Sequence, residues 1–493
     1  MTVACVAVDV VNADRPTASL AFLAGACEAV GLDYQAYSVN VEMLKRLNSE
    51  QYQQLYKAVK LGTDDTWADT LEQAFEELAA SVQSHEPTKL LISMFSYMQV
   101  GLSRRFLTIM RRRMPDLEII AGGPGIGNKD IDKNTYGSRF LKEGLLDYYV
   151  LGEGDQVLVK WLQGDQAQLG LNGRDNPYES WVPQIEKLDD AYLVPSYRKI
   201  DFSLYHNLEA KSLGVLNLST SRGCVRACTF CDVSKTWPKF RFRSGARVAQ
   251  EVLKHWQDTG IPHFHINDSL INGSLKSFRE FNNEIIKLKQ QHAGLANFSY
   301  NGMFIVRDAR AHDESMFAAM AQAGCDSLAI GVETGSDSLR ATMAKKFTNQ
   351  DLDHHMEMCQ KYGIGNTMLM FVAHPQETEQ DYQDTLDLLD RYQKYLLDDT
   401  IVGINFTGPY SLFVGTPDWE QRHETGIEIL SGVNDPHINW INHNNPGLTL
   451  RRRVERDLGF RRRAAELRYG IAYSGRYIEY LKEIGPGFVP SAD

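Results

Sequence analysis

Short apolar runs alternate with longer amphipathic stretches along most of this chain. In its first part the runs predict five strands, at 3–10, 34–39, 90–94, 117–121 and 148–151. The stretches between them have helical spacing, as at 17–30 and 102–114. Such alternation is typical of a parallel sheet with helices on both faces. We therefore predict that residues 1–165 form a doubly wound, Rossmann-like α/β domain.

The same alternation returns after residue 212. Six apolar runs predict strands at 214–220, 263–267, 298–304, 327–333, 367–373 and 401–407. Helical stretches separate them, at 246–258, 275–291, 314–322, 336–343 and 378–389. Six strands with helices between them suit a partial (β/α)6 barrel of the TIM type, whose functional residues lie just after its strands. The second predicted domain is this barrel, at 213–408.

Two regions lack the alternation. Residues 166–212 are polar and irregular and carry turn signals such as Asn172-Gly173, so we predict a linker there. Residues 409–493 are predicted to be a C-terminal extension. Its arginine-rich stretch, 451–468, is typical of a solvated helix face because acidic residues share the helical spacing.

Composition narrows the class of protein. The chain has 493 residues, 43% of them hydrophobic and 23% charged, with a net charge of −11. These values are ordinary for a globular protein, and the acidity argues against a coat for bulk nucleic acid. No apolar run reaches the ~18 residues of a membrane span. Residues 1–11 lack the basic segment and cleavage site of a signal peptide, so we expect a buried strand and a cytoplasmic protein.

Three of the seven cysteines form a compact motif directly after the first predicted barrel strand. Cys224, Cys228 and Cys231 have the spacing C-x3-C-x2-C. Thiolates bind soft metals and iron–sulfur clusters, and three of them can hold three irons of a [4Fe–4S] cube. Structural zinc is the alternative, but it takes four ligands, and the next cysteine, Cys325, comes 94 positions later.

With the aromatic Phe230 before its last cysteine, this motif resembles the signature of the radical S-adenosylmethionine (SAM) superfamily. Further resemblances follow the later predicted strands, at 265–270, at 331–336 (G-V-E-T-G-S) and at 371–378, and Gly415-Thr416-Pro417 resembles a segment after the barrel. The segment 371–378 departs from the family pattern G-x-P-x-E-T, since Ala373 and His374 replace its usual residues. The resemblance implies a [4Fe–4S] cluster held by the three cysteines and a SAM site formed by Phe230, Asp268, Glu333, Ser336 and His374.

Each SAM residue has a structural alternative. Asp268 and Ser336 precede helical stretches and could be helix N-caps. His374 could be a core histidine, whereas Glu333 ends an apolar strand, where an unpaired acid is costly. Arg340, which follows this segment, could reach the SAM carboxylate or face solvent, and we expect its side chain to face solvent.

Residues ahead of the barrel resemble the cobalamin-binding domains that precede some radical SAM barrels. The resemblance lies in 15–25, 91–95, 120–124 and 147–155. It implies a corrinoid site formed by Ser93, Gly122, Gly123, Pro124, Gly152 and Glu153. The D-x-H-x-x-G element that donates an axial histidine is missing. Methylthiotransferases also have an α/β domain before such a barrel, but they hold a second cluster with three N-terminal cysteines, and only Cys5 and Cys27 are present here.

The resemblance implies that an electron from the reduced cluster cleaves SAM to a 5′-deoxyadenosyl radical, with a flavodoxin or ferredoxin as electron donor. The leading hypothesis is cobalamin-dependent methylation of an unactivated carbon. A radical SAM isomerase, lyase or oxidoreductase without a corrinoid is the alternative, and a non-catalytic metal-binding protein is a third. The substrate is not indicated by any motif.

Overall fold

The computed structural model describes residues 2–8, 15–61, 69–129, 134–174, 179–202, 205, 214–430, 437 and 439–473. The chain divides into two compact units. The first comprises Met1–Leu218 and Gln250–Phe264, and the second comprises Ser219–Ala249 and His265–Asp493. These units differ from the predicted domains, because residues 250–264 group with the first unit although they belong to the predicted barrel.

Within the described residues, the first sheet has six strands. They are β1 (Thr2–Val8), β2 (Asp33–Ser38), β3 (Lys89–Met94), β4 (Glu118–Gly122), β5 (Tyr148–Val150) and β6 (Leu171–Gly173). Their order is β2-β1-β3-β4-β5-β6, with parallel pairing except between β5 and β6. The helices of this region are α1 (Ala18–Ala29), α2 (Val39–Arg46), α3 (Ser49–Leu61), α4 (Asp69–Gln83), α5 (Val100–Arg113), α6 (Pro124–Gly127), α7 (Tyr136–Lys142), α8 (Asp155–Leu162) and α9 (Leu188–Ala191).

The five predicted strands are all present, within a few residues of their predicted bounds. Residues 9 and 10 of the first lie outside the described residues. Six of the seven residues of β1 are buried, which is expected for a central parallel strand covered on both faces. The carboxyl ends of β1, β3 and β4 therefore meet at one edge of the sheet, where ligands of such sheets bind.

The predicted linker, 166–212, was wrong in part. Its residues 171–173 form β6, which pairs antiparallel with β5, and Leu171 is only 3% exposed. Only the first of its three residues, Leu171, is apolar, so the strand has no apolar run that the sequence analysis could detect.

The remaining strands are β7 (Leu216–Leu218), β8 (Ser221–Arg222), β9 (Arg241–Phe242), β10 (His263–Ile266), β11 (Ser299–Phe304), β12 (Cys325–Glu333), β13 (Gly365–Val372), β14 (Ile401–Pro409), β15 (Ile427–Ile429), β16 (Trp440–Asn442) and β17 (Ile471–Tyr473). The remaining helices are α10 (Val233–Thr236), α11 (Gly245–Thr259), α12 (Leu275–Gln291), α13 (Glu314–Ala323), α14 (Asp337–Thr342), α15 (Asn349–Tyr362), α16 (Glu379–Tyr392), α17 (Pro417–Glu420) and α18 (Leu450–Glu466).

The second large sheet has the order β17-β14-β13-β12-β11-β10-β7. Strands β11 to β14 pair in parallel in sequence order, as a barrel built from strand–helix repeats requires. All six predicted strands are present. The prediction of six strands was nevertheless incomplete, because β17 of the C-terminal extension pairs in parallel with β14 and adds a seventh. Buried and half-buried residues alternate along β11, so that one of its faces is packed and the other remains partly accessible.

No helix in the described ranges has both the length and the apolar character needed to cross a membrane.

Candidate functional site

The three cysteines of the motif lie in the closed end of a hairpin. Strands β8 and β9 pair antiparallel and hold the two ends of the loop together. At Gly223, just after β8, φ is +90° and a Cβ atom would lie 2.8 Å from the carbonyl oxygen of Lys239. Only glycine adopts this conformation without strain or a clash. The glycine before the first cysteine therefore lets the two ends of the loop approach each other.

The three cysteines are unbridged, and two of them are partly accessible. Cys228 is 9% exposed, and Cys224 and Cys231 are half-buried. Burial raises the pKa of Cys231 to about 11 and also raises the pKa of Cys228. The protonated thiol is therefore favoured at neutral pH unless a metal replaces the proton.

These donors fit an iron–sulfur cluster. In the ranges that the structure covers, no three His, Cys, Asp or Glu side chains converge on a point that could hold one ion. A cubane cluster does not need such convergence, because each thiolate binds a different iron. Three soft donors on one loop match three irons and leave the fourth iron for another ligand.

Phe230 anchors the cysteine loop to a strand end. Its ring packs edge-on against Phe371 of β13, with centroids 5.4 Å apart. The Nζ atom of Lys345 lies 5.8 Å from the centroid of the same ring. The predicted contact of Phe230 with SAM stays a prediction.

The carboxylate of Asp268 faces the start of the cysteine hairpin. Its Oδ2 atom accepts hydrogen bonds from the Thr220 N–H (2.9 Å), the Thr220 hydroxyl (2.5 Å) and the Ser221 hydroxyl (3.0 Å). Burial outweighs these bonds and raises the pKa of Asp268 to about 6. Asp268 is not a helix N-cap, because Ser274 caps α12. Its carboxylate thus connects the end of β10 to β8.

Glu333, at the end of β12, is paired with a lysine that the sequence analysis did not identify. Its Oε1 atom lies 2.9 Å from Nζ of Lys345, and the two side chains are only 10% and 12% exposed. A Cβ atom at Gly331 would lie within 2.6 Å of both charged groups, so the pair lies directly over this glycine. Positive φ angles occur at Glu333 (65°) and on both sides of Lys345, at Ala344 (57°) and Lys346 (55°). Such angles cost about 1–3 kcal/mol each and often mark functional sites.

Ser336 is the N-cap of α14, which is the structural role that the sequence offered as the alternative to SAM binding. Its Oγ atom accepts from the Leu339 N–H at 3.2 Å and donates to Asp381 at 2.5 Å.

The prediction that Arg340 faces solvent was wrong. Arg340 is fully buried, its Nη2 donates to Asp337 at 2.7 Å, and its guanidinium lies 4.7 Å from the Phe347 ring.

His374 is 2% exposed and lies after β13, where a barrel places functional residues. Its ring is 4.9 Å from that of Tyr410, its Nδ1 accepts from the Gln376 N–H at 3.3 Å, and its Nε2 lies 3.4 Å from Asp418. Ala373, which replaces the usual glycine, has φ of +64°. The structure therefore retains the backbone conformation that glycine would favour.

In the first unit, four predicted corrinoid residues lie together at the ends of β3 and β4. Ser93 is the register partner of Gly122, and Pro124 begins α6. A Cβ atom at Gly123 (φ +97°) would lie 2.5 Å from the Met94 carbonyl oxygen. A Cβ atom at Gly122 would meet no atom within 4 Å. Packing within the chain explains Gly123, whereas the Cβ position of Gly122 is open, and contact of these four residues with a corrinoid stays a prediction.

The other two predicted corrinoid residues contact the chain itself. A Cβ atom at Gly152 would lie 3.0 Å from the Val182 carbonyl oxygen, and Glu153 accepts from the Ile185 N–H at 3.0 Å. Both residues position the segment 182–185. Their contact with a corrinoid stays a prediction.

Residues 218–389 match the family model of the Radical SAM superfamily. The match begins before the cysteine hairpin and ends in α16, so it includes the three cysteines and every predicted SAM residue. The chain therefore contains a radical SAM domain. Such a domain implies a [4Fe–4S] cluster and SAM, and it indicates an enzyme.

One curated relative is a putative methylthiotransferase of Methanocaldococcus jannaschii. It is 29% identical over 282 residues, which are 55% of this chain and 58% of that protein. The chain spans about half the length of the curated relatives it matches.

Two solved radical SAM enzymes have a similar fold. The radical SAM methyltransferase TsrM of Kitasatospora setae, solved with tryptophan and the SAM analogue aza-SAM, matches with a TM-score of 0.62 and 16% identity, over 100% of this chain and 90% of that chain. The cobalamin-dependent enzyme OxsB, solved with aqua-cobalamin, matches with a TM-score of 0.61 and 16% identity, over 89% of this chain and 64% of that chain. At such identities the shared property is the fold.

Two residues near the radical SAM motifs escaped the sequence analysis. Lys345 could have been suspected, because a buried acid such as Glu333 needs a counter-charge nearby. Asp418 follows Thr416-Pro417, which is a typical N-cap and first helical residue. That signal predicts a helix start, but it gives no indication of the contacts that Asp418 makes.

Proposed function

We propose that this protein is a cobalamin-dependent radical SAM methyltransferase that methylates an unactivated carbon. The observation that supports this most strongly is the extent of the shared fold, which covers the Rossmann-like sheet as well as the radical SAM domain. OxsB binds cobalamin and TsrM transfers methyl groups, and this proposal extends both properties to the present chain.

In this proposal the chain positions its cofactors and excludes water from them. Cys224, Cys228 and Cys231 hold the cluster. Glu333 and Lys345 form a charged pair beside the cysteine loop, suited to the polar groups of SAM. When bound, the cluster supplies one electron that cleaves SAM, and the corrinoid carries the methyl group.

The corrinoid is proposed to lie over the ends of β3 and β4, where Gly122 leaves open space. His85 is the only histidine among the first 205 residues. Its Nδ1 atom lies 2.8 Å from the Tyr37 hydroxyl and 2.9 Å from the Ser81 carbonyl oxygen. We therefore propose that this sheet binds cobalamin without a histidine as its lower ligand.

The test is an anaerobic titration of the cluster-reconstituted protein with hydroxocobalamin, followed by gel filtration and a count of corrin per cluster. We expect a ratio near one. Gly122→Val should reduce the retained corrin and leave the iron content unchanged, because its side chain enters the open space. Gly447→Val is the matched control, since a Cβ atom there also meets nothing within 4 Å. A wild-type protein that retains its cluster but no corrin would contradict the proposal.

A radical SAM enzyme without a corrinoid is the second candidate. It is favoured by Gly123 and Gly152, whose small size is explained by contacts with backbone carbonyls of the chain itself. Formation of 5′-deoxyadenosine by a protein that retains no corrin would support this candidate over the first.

A measurement of the iron bound per chain would distinguish both candidate functions from that of a methylthiotransferase, which holds a second cluster. Cys5 and Cys27 are buried in the first unit with their sulfurs 3.7 Å apart, and neither lies on an open loop. We expect about four irons per chain, whereas a second cubane cluster would raise the count to about eight. The electron donor, the cytoplasmic location and the site residues stay predictions, and the substrate is not identified.

A further inference from the structure

A threonine between the second and third cysteine is held by two other segments of the second unit. The N–H of Thr229 donates to the Met343 carbonyl oxygen at 3.3 Å. Its carbonyl oxygen accepts from the Asp418 N–H at 2.9 Å. Its hydroxyl donates to Oδ2 of Asp418 at 3.2 Å. Asp418 therefore holds both the backbone and the side chain of the cysteine loop at this point.

The same carboxylate oxygen is itself fixed by two other groups. The Tyr410 hydroxyl donates to Oδ2 of Asp418 at 2.7 Å, and the His374 Nε2 atom lies 3.4 Å from it. The Asp418 side chain is only 14% exposed. Because these contacts hold the Asp418 carboxylate in one position, the carboxylate can in turn hold the cysteine loop in place.

An aromatic contact path supports the same attachment. Phe230 packs on Phe371, and Phe371 packs on Tyr410 with centroids 5.6 Å apart. Tyr410 is the residue that donates to Asp418. Residues 229 and 230 of the cysteine loop are thus connected to Asp418 by both polar and apolar contacts.

We propose that Asp418 is a positioning residue that holds the cysteine loop around the cluster and makes the cluster harder to reduce. The proposal rests on one part of the proposed function, namely that the three cysteines hold a [4Fe–4S] cluster. Residues that orient metal ligands affect metal retention, and nearby charge affects the reduction potential of a cluster. The negative charge of Asp418 opposes the arrival of an electron.

Two substitutions separate the two effects. Asp418→Asn removes the charge but keeps the backbone N–H and one side-chain acceptor for Thr229 and Tyr410. Asp418→Ala removes the charge and the acceptor together. Glu420→Gln is the matched control, because it removes an exposed negative charge from the same short helix, α17.

The experiment compares these variants with wild type after anaerobic cluster reconstitution, at pH 8 and without SAM, corrinoid or substrate. The readouts are iron and sulfide content, the rate of iron loss to a chelator, the electron paramagnetic resonance spectrum after one-electron reduction by dithionite, and the midpoint potential from a dye-mediated titration.

For Asp418→Asn we expect full iron content and a ratio of reduced to oxidised cluster about tenfold higher at the same applied potential, a shift of about +59 mV for one electron. For Asp418→Ala we expect a similar shift, a changed resonance spectrum and iron loss that is several-fold faster. Glu420→Gln should match wild type in every readout.

If Asp418→Asn has the midpoint potential of the wild type, the proposed effect of the charge on the cluster is wrong. If Asp418→Ala loses iron no faster than the wild type, the proposed positioning role of Asp418 is wrong. Should Asp418→Ala fail to fold, Thr229→Val tests the same contact from the other side, with Thr229→Ser expected to restore slow iron loss. Wild-type iron loss in Thr229→Val would again overturn the positioning. These measurements require no corrinoid, so they can contradict the role of Asp418 without contradicting the methyltransferase proposal. A wild-type chain that binds no iron would contradict both proposals.

Discussion

At the scale of single residues, two adjacent glycines have different reasons to be glycine. Gly123 has φ of 97° and ψ of 162°, a region that is essentially restricted to glycine. Gly122 has an open Cβ position. We expect Gly123→Ala to lower the free energy of unfolding by about 2 kcal/mol or more, since strain and overpacking add.

The matched control is Gly122→Ala, which should change that free energy by less than about 1 kcal/mol. Urea denaturation followed by circular dichroism measures both. Equal losses in the two variants would contradict the packing explanation of Gly123.

A buried histidine predicts how stability depends on pH. His355, in α15, is 1% exposed and its Nε2 atom contacts Oδ1 of Asn366 at 2.9 Å. Burial lowers the pKa of His355 to about 4 from its ordinary value near 6.5. Below pH 6.5 the unfolded chain therefore binds a proton that the folded chain excludes. Stability contributed by the neutral ring should be complete above pH 6.5 and be lost as the pH falls towards 4.

We expect the loss of stability between pH 6.5 and 4 to be smaller in His355→Gln than in wild type, by about 3 kcal/mol at most. Urea midpoints across this range give the comparison. Parallel pH profiles for the two proteins would show that His355 does not titrate in this way. The difference between variants is needed because the raised pKa of Asp268 acts in the opposite direction.

The sequence indicates candidate site residues most clearly where their pattern is local. The cysteine spacing lies within eight residues, so the loop could be recognised before its fold was known. Arg340 was placed wrongly because its burial depends on Phe347 and Asn349, beyond its own helix. The contacts of Asp418 with Thr229 join positions 189 residues apart, which no local pattern reveals.

At the scale of elements, α18 corrects the expectation for the arginine-rich stretch. Arg453 and Arg456 are buried, so the prediction of a solvated helix face was wrong for them. The guanidinium of Arg453 lies 3.8 Å from the Trp440 ring, and Arg456 pairs with Glu377 at 2.7 Å. On the exposed side, Arg451 and Arg452 pair with Glu455 as the acidic residues in the pattern suggested.

The buried pair of Arg456 and Glu377 should contribute far more to the free energy of unfolding than the exposed pair of Arg452 and Glu379. Arg456→Ala leaves Glu377, which is 1% exposed, without its charged partner, and we expect a loss of about 3–5 kcal/mol. Arg452→Ala removes an exposed pair with Glu379 and should cost less than about 1 kcal/mol. Both values come from urea denaturation at pH 7.5. A loss in Arg456→Ala as small as that in Arg452→Ala would contradict this role of the buried pair.

One long periodic helix was predicted with its observed bounds, whereas two very short strands were not predicted. The predicted helix 275–291 has the bounds of α12. The three-residue strands β6 and β17 carry no period to detect. The helix α15 was missed although a signal was present, because Thr348 and Asp351 form a capping box at its start.

At the scale of the whole molecule, the division into two units predicts a selective effect of corrin. A ligand that binds only the folded first unit stabilises it by about 2.7 kcal/mol at a hundred times its dissociation constant. We expect hydroxocobalamin to raise the melting temperature of one calorimetric transition of the full chain and leave the other unchanged. The same protein without added ligand serves as the control. An unchanged thermogram at saturating hydroxocobalamin would count against a corrin site.

The seventh strand of the second sheet also has a consequence for synthesis on the ribosome. Strand β14 ends at Pro409, whereas its outer partner β17 ends at Tyr473, 64 residues later in the chain. At about 5–20 residues per second, the ribosome needs about 3–13 s to produce that partner. During this interval the outer edge of β14 is a free template on which another nascent chain can pair. Slow translation of residues 410–473 should therefore increase aggregation on polysomes, and a chaperone that covers this edge should reduce it.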